Sequence, residues 1–254
     1  MPGVPVNPIV RWFHQLGSPP YFDGFARRYA PWAYGLGGAL MLWGMWLALY
    51  QVPADYQQGN SFRILFIHVP AAWMSLFIYG VMAVNAFIAL VWRIKLSELL
   101  AMNCAPIGAA FTLITLVTGS VWGKPTWGTW WTWDARLTSE LVLLFLYLGV
   151  MGLYGAIDDR RNAARAASFL ALVGIVNVPI VHFSVNWWNT LHQGATIRLI
   201  GPSTIDASML APLLFTALGT KLWFIGSLLA RTRTALTDLE LGKDWVRRQL
   251  GVPR

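Results

Sequence analysis

Six long apolar runs divide the chain, and they restrict its fold more than any other feature. They cover residues 31–50, 66–92, 101–122, 137–157, 166–185 and 208–230. Each is close to the roughly 20 residues that a helix needs to cross a bilayer. Charged residues make up only 12% of the chain, whereas a soluble domain carries roughly 25%. We therefore predict an all-α polytopic membrane protein with about six transmembrane helices in a lipid bilayer.

The basic residues between these runs are distributed unevenly. If the N-terminus is cytoplasmic, fourteen of the nineteen Lys and Arg residues fall inside, four fall outside, and Lys221 lies within the last run. The positive-inside rule then predicts that both termini are cytoplasmic. The predicted organisation is a cytoplasmic segment 1–30, a six-helix membrane domain 31–230 and a cytoplasmic tail 231–254. This pattern accounts for the net charge of +8, so we expect no nucleic-acid partner.

Several kinds of chemistry are excluded by missing motifs. The only cysteine, Cys104, lies in an apolar run, so the chain has neither an internal disulfide nor a CxxCH haem-attachment motif. The segment GSVWGKP lacks the glycine spacing and the following Ser or Thr of a phosphate loop. The sequence therefore predicts no ATPase site of this type, and no nucleophile–base pair that would indicate an enzyme.

Tryptophan is concentrated in the predicted external loop 122–136. Five of the fifteen tryptophans lie within twelve residues of this loop: Trp122, Trp127, Trp130, Trp131 and Trp133. Because Gly123, Pro125 and Gly128 interrupt regular structure, we expect a shaped loop. An aromatic belt at the membrane surface is the simple explanation. Five indoles in one loop favour instead a platform for a large, flat, apolar ligand.

Two charged residues close this loop. Asp134 is predicted to cap the following helix, and Arg136 can pair with a ligand carboxylate. Glu140, a few residues into the fourth run, is predicted to have a helix-start role. Lys221, within the sixth run, requires a polar partner or a route to the membrane surface.

Histidines on the predicted outer side are candidate iron ligands. His68 lies near the start of the second run, and His192 lies in the segment 186–207, after Trp187 and Trp188. If residues 186–193 form a short helix, Trp188 and His192 share one face and Gly194 caps it. Neutral imidazole is a common haem ligand. Sequence periodicity does not distinguish His192 from His182 in this role.

Extended segments resemble the CcmC family of haem-handling membrane proteins. They are ADYQQGNSFRI, HVPAAW, APIGAAFTLITLVTGSVWGKPTWGTWWTWDARLTSELVLLFLYLG, DDRRNAARAA and HFSVNWWNTLHQG. The similarity covers about residues 53–195. It implies six spans, a haem b site on the tryptophan-rich loop, and a location in the bacterial inner membrane with the site facing the periplasm.

The resemblance also implies specific roles. His68 and His192 correspond to the axial ligands of the haem iron. From charge alone, and not from the resemblance, we predict that Arg63 or Arg136 holds the propionates. The haem is presented to the periplasmic chaperone CcmE, in a membrane complex with CcmA, CcmB and CcmD. Two other functions remain open: a permease for haem or another small solute, and a structural subunit of an ATP-driven transporter.

Overall fold

The computed structural model describes residues 17–192, 194 and 205–251. Parts of the N-terminal segment (1–16), of the segment 186–207 (193 and 195–204) and of the tail (252–254) lie outside the described residues. The described part is helical, with one isolated β-bridge between Asp55 and Gly59. The helices are α1 (Pro19–Tyr50), α2 (Leu65–Trp92), α3 (Lys95–Trp127), α4 (Ala135–Ala156), α5 (Arg160–Gly174), α6 (Asn177–Trp187), α7 (Ala207–Leu239) and α8 (Asp244–Leu250).

Six helical segments are long and apolar enough to cross a membrane. The pair α5–α6 counts as one of them, and a short 3₁₀ turn, Ser61–Ile64, leads into α2. The predicted class, an all-α polytopic membrane protein, is therefore confirmed.

Two helices continue well past the apolar runs. α1 begins at Pro19 instead of residue 31, and α7 continues to Leu239 instead of residue 230. The extensions pack together, because buried Asp23 accepts a hydrogen bond from Arg233 Nε at 2.8 Å and another from Gln249 at 2.8 Å. Apolarity reveals only the part of a helix that contacts lipid, so the sequence did not indicate these polar continuations.

Aspartates begin three of the helices. Asp134, Asp159 and Asp206 have extended backbones, and each carboxylate accepts a hydrogen bond from a backbone N–H near the start of its helix. These bonds satisfy donors that the first helical turn leaves free. The predicted capping role of Asp134 is confirmed.

The fifth span is interrupted in its middle. α5 ends at Gly174 and α6 begins at Asn177. Pro179 follows in the first turn of α6, and its missing N–H and its ring prevent a continuous helix through this point. The Asn177 side chain donates to the Ser139 carbonyl at 2.9 Å, which ties the break to α4.

The bundle has a tyrosine-centred core and a glycine-lined helix pair. In the core, the rings of Tyr79 and Tyr147 lie 5.0 Å apart, and Tyr147 donates to the Ser75 carbonyl at 2.7 Å. α1 packs along α7, where a Cβ on Gly37 would lie 2.9 Å from the Gly219 carbonyl oxygen. Small residues permit this close approach of two membrane helices.

Candidate functional site

The tryptophan-rich segment is more helical than the sequence predicts. α3 continues through Gly123 and Pro125 to Trp127, and it ends at Gly128, whose φ of 78° is left-handed. Pro125 lies in the last turn, where it removes one hydrogen bond without ending the helix. The predicted loop 122–136 therefore shortens to 128–134, and Trp122 and Trp127 project from a helix instead of a loop.

His68 lies in the first turn of α2 and faces the end of α3. Its Nδ1 is 3.0 Å from the Thr118 hydroxyl oxygen, and its ring meets Trp122 edge-on at 5.8 Å. Because the Thr118 hydroxyl donates to the Ile114 carbonyl at 2.6 Å, its oxygen accepts from Nδ1–H of His68. The Nε2 atom then carries the lone pair, which is the arrangement that binds a metal.

His192 is held in a similar way by an acidic residue. Its Nδ1 lies 3.3 Å from Asp134 Oδ2 and 3.2 Å from the Thr190 hydroxyl, which itself donates to Asp134. Its ring meets Trp127 edge-on at 4.7 Å. A carboxylate that accepts Nδ1–H orients the imidazole and makes Nε2 a stronger metal ligand.

The charges around this pair favour a neutral imidazole and an ionised carboxylate. Burial lowers the pKa of His192 below 6.5, and the Arg136 guanidinium lowers it further, against the opposing effect of Asp134. Burial of Asp134 acts to raise its pKa, but hydrogen bonds from Thr190 and the Leu137 N–H outweigh this effect and hold the pKa below 3.8. At neutral pH, His192 therefore has the charge state that metal binding requires.

The structure brings His68 and His192 to the same tryptophan-bearing helix end. Their partners Trp122 and Trp127 are five residues apart at the end of α3. His182 is exposed on α6 and packs edge-on against Phe183 at 4.7 Å. The alternative that the sequence left open, His182, is therefore not part of this cluster.

The short helix considered for residues 186–193 does not form over 188–192, the part of it that follows α6 in the described chain. α6 ends at Trp187, and Trp188 has an extended backbone with φ −134° and ψ 157°. Residues 188–192 and 194 form no helix, so Trp188 and His192 do not share a helical face and Gly194 caps nothing. The tertiary contact with Asp134, and not a local helical spacing, positions His192.

The rest of the loop offers both apolar surface and free hydrogen-bond donors. Trp130 and Trp133 are exposed, as are Trp187 and Trp188. The Trp131 Nε1 and the Thr132 hydroxyl are buried and have no partner among the described residues. Buried polar atoms are normally paired, so these two groups can bond to a ligand.

The two candidate arginines differ in their surroundings. Arg63 donates to the carbonyls of Ala48 and Val52 and to the Asn60 side chain, so it braces the segment 51–64 between α1 and α2. Arg136 is half-buried in the first turn of α4, and its guanidinium makes no hydrogen bond within the described part of the chain. Arg136 is therefore the better placed of the two to bind a carboxylate.

Three contacts at the site have no signal in the sequence. Thr118 and Thr190 are single threonines whose importance appears only through their histidine partners. Gln58 accepts a hydrogen bond from Trp122 Nε1 at 2.7 Å, which links the segment 51–64 to α3. No local pattern could have identified these pairs. Each joins a side chain of the site to a threonine or a glutamine, which are common residues and belong to no recognisable motif here.

The helix-start role predicted for Glu140 is wrong. Asp134 already caps α4, and Glu140 lies further along the helix, where it is buried and its Oε1 has no partner among the described residues. Lys221 lies with its Nζ 4.8 Å from the centre of the Phe77 ring. Instead of the polar partner or surface route that the sequence predicts, Lys221 contacts an aromatic face among the described residues, a contact of cation–π type.

Comparison with known proteins assigns the family. Residues 12–247 match the CcmC family model, described as heme exporter protein C. The chain is 52% identical to the heme exporter protein C of Escherichia coli K12, over 92% of this chain and 94% of the relative. It is 48% identical to that of Bradyrhizobium diazoefficiens, over 87% and 84%. It is also 47% identical to a putative cytochrome c biosynthesis ccmC-like mitochondrial protein of Marchantia polymorpha, over 78% and 84%.

The matches extend over the membrane bundle and over every candidate site residue described above. They confirm the resemblance that the tryptophan-rich and histidine-bearing segments indicate. This chain belongs to the CcmC family, heme exporter protein C.

Proposed function

We propose that this protein binds haem b at the outer face of a bacterial inner membrane and presents it to a CcmE-type haem chaperone for cytochrome c maturation. One observation carries the proposal. Two imidazoles at one tryptophan-lined helix end are each held at Nδ1, by Thr118 and by Asp134, which directs the lone pair of both rings to Nε2. That is the ligand chemistry of a bis-histidine haem site.

The surrounding residues fit a haem cargo. Haem offers three features to a binding site. Its iron can bind two nitrogen ligands, its ring is flat and apolar, and its two propionates are negatively charged. His68 and His192 would hold the iron, and the Arg136 guanidinium, the Trp131 N–H and the Thr132 hydroxyl would bond to the propionates. The exposed indoles of Trp130, Trp133, Trp187 and Trp188 would cover the apolar ring.

The geometry supports delivery more than storage. The four exposed tryptophans lie at the surface, where a partner can reach a ligand that rests on them. The sequence contains no phosphate-loop motif and no CxxCH motif. Covalent attachment would therefore occur on the chaperone, and ATP hydrolysis would be supplied by CcmA, in a complex with CcmB and CcmD.

A second function, movement of a solute across the bilayer, is favoured by two observations. The fifth span is broken between Gly174 and Asn177, and Glu140 is a buried acidic residue within a span. Interrupted helices and intramembrane carboxylates are typical of transporters. In that case haem would reach the outer site through the protein instead of from the outer leaflet.

The test is the absorption spectrum of the detergent-purified protein, oxidised and reduced, for wild type and three single variants. We expect wild type to carry low-spin haem, His68→Ala and His192→Ala to lose or alter it, and His182→Ala to match wild type. His182 is the control because it is a histidine outside the cluster. If wild type holds no haem even with the chaperone present, or if binding is indifferent to His68 and His192, the permease or structural functions lead.

A further inference from the structure

Four exposed side chains form a stripe along one face of α7. Leu214, Leu218, Lys221 and Ile225 are all exposed, and they follow one another at intervals of four, three and four residues. This is the spacing at which two helices pack along a common seam. Lysine occupies the middle of the stripe.

A second stripe with the same spacing runs along α2. Trp73, Phe77, Val84 and Phe87 are exposed, and Gly80 lies between them, where an added Cβ would meet nothing within 4 Å. The open space at Gly80 is a hole of the size that a side chain of another helix fills.

The two stripes lie side by side. Lys221 Nζ is 4.8 Å from the Phe77 ring, and Phe77 meets Phe224 of α7 edge-on at 6.1 Å. Both helices begin at the same side of the bundle, so the stripes run in the same direction. We call this combined surface the α2–α7 seam.

Lys221 is deep in the membrane, and its ammonium does not turn to the nearer surface. It lies fourteen residues after the start of α7 and ten before Arg231, or about 21 Å and about 15 Å along the axis. Helical side chains lean toward the helix N-terminus, and Nζ accordingly rests over Phe77, twelve residues into α2. No carboxylate lies within ion-pair distance of it in the described part of the chain.

The seam is separate from the candidate haem site. Phe77 follows His68 by nine residues, which at about 100° per residue places the two on opposite faces of α2. His68 faces α3, whereas Phe77 faces α7. An intramembrane charge that the haem site does not use needs another explanation, because lipid does not stabilise it.

We propose that the α2–α7 seam docks a transmembrane helix of a partner subunit, which places an Asp or Glu carboxylate against Lys221. The apolar seam and the hole at Gly80 supply the packing surface, and the carboxylate supplies the charge that Lys221 lacks. A second copy of this chain does not fit as the partner. In the described spans, the acidic residue that lies away from the helix ends is Glu140, and Glu140 is buried. This inference rests on the proposed function in one respect, namely that the protein works in a complex with other membrane subunits.

The experiment uses the full-length protein in native membranes with a photo-crosslinking amino acid at Leu218, and at Phe145 as a control. Phe145 is exposed on α4, a helix that packs mainly against α3, α5 and α6 instead of α2 or α7. We expect a cross-link from Leu218 to an integral membrane protein with an acidic residue at the same depth, and none from Phe145. Lys221→Leu and Lys221→Glu should each weaken it roughly threefold or more, whereas Lys221→Arg should retain it.

A charge exchange makes the test decisive. Replacing the partner's acidic residue by lysine should restore the cross-link lost in Lys221→Glu. Cross-links to lipid alone, cross-links to a second copy of this chain, or a cross-link that Lys221→Leu leaves unchanged would each overturn the proposal. The haem spectrum of every variant is recorded in parallel, and we expect it to match wild type. If the wild-type protein itself carries no haem, that result counts against the proposed haem site and leaves the proposal for the seam unaffected.

Discussion

His192 Nδ1 lies 3.3 Å from Oδ2 of Asp134, although the two residues are 58 positions apart. The other carboxylate oxygen, Oδ1, accepts from the Leu137 N–H at 2.8 Å and so begins α4. One side chain therefore both starts a helix and orients a candidate iron ligand. This double role ties the geometry of His192 to the N-terminal end of α4.

Asp134→Asn separates these two roles. Asparagine keeps an oxygen that can cap α4, but it removes the carboxylate that orients His192. We expect folding to be little affected and haem affinity to fall roughly tenfold or more, as for other partners of a ligating histidine. Haem titration followed by the low-spin absorption band measures the affinity. Asp134→Ala is the comparison, and it should also cost about 1 kcal/mol of unfolding free energy through loss of the cap.

The pH dependence of haem binding should reflect His192. A proton competes with iron for Nε2, so affinity falls as pH decreases. Because burial and Arg136 hold the pKa of His192 below 6.5, we expect the low-spin band to stay constant from about pH 8 down to pH 6.5, and to decline only below it. A decline centred above pH 6.5 in a spectroscopic titration would contradict this.

The free energy of unfolding should decrease at acidic pH because of His192 and Asp134. The depressed pKa of His192 means that the unfolded chain takes up its proton first, so stability decreases as pH drops below 6.5. The depressed pKa of Asp134 contributes stability that is present above pH 3.8 and is lost below it. Thermal unfolding at a series of pH values checks both, with Asp134→Asn expected to lose the lower-pH component.

Gly119→Ala should disturb His68 without unfolding the bundle. A Cβ at position 119 would lie 2.9 Å from Cε1 of His68, and the imidazole is the part that can move. We expect a weakened or altered low-spin spectrum with nearly unchanged thermal stability. Gly152→Ala is the matched control, since a Cβ there meets nothing within 4 Å. Equal spectra for the two variants would argue against an iron-binding role of His68.

The two arginines should respond differently to alanine. Arg136→Ala should lower haem retention, because its guanidinium is free of protein hydrogen bonds within the described residues. Arg63→Ala should instead destabilise the segment 51–64 by about 1–3 kcal/mol, since it removes a charged donor from the Ala48 and Val52 carbonyls. Haem content and thermal unfolding of both variants separate the effects. Loss of haem from a stable Arg63→Ala protein would return Arg63 to the propionate site.

Sequence alone could predict the membrane class and the family, but only part of the site. Six apolar runs are sufficient for six spans because each helix must satisfy its own backbone in lipid. The capping role of Asp134 was also predictable, because it depends on neighbours within three residues. The polar extensions of α1 and α7 and the burial of Glu140 were not, because they depend on contacts between distant helices.

The choice between His182 and His192 shows where local pattern ends. Both histidines lie near the same predicted membrane surface, and both have aromatic neighbours in the chain. Only folding brings Asp134 and Trp127 to His192, while His182 is left exposed on α6. The sequence by itself determined a six-span membrane protein with a tryptophan-rich segment between two spans, because composition and local spacing act along the chain. Tertiary structure decided which imidazoles meet the tryptophans, because those contacts join residues that are tens of positions apart.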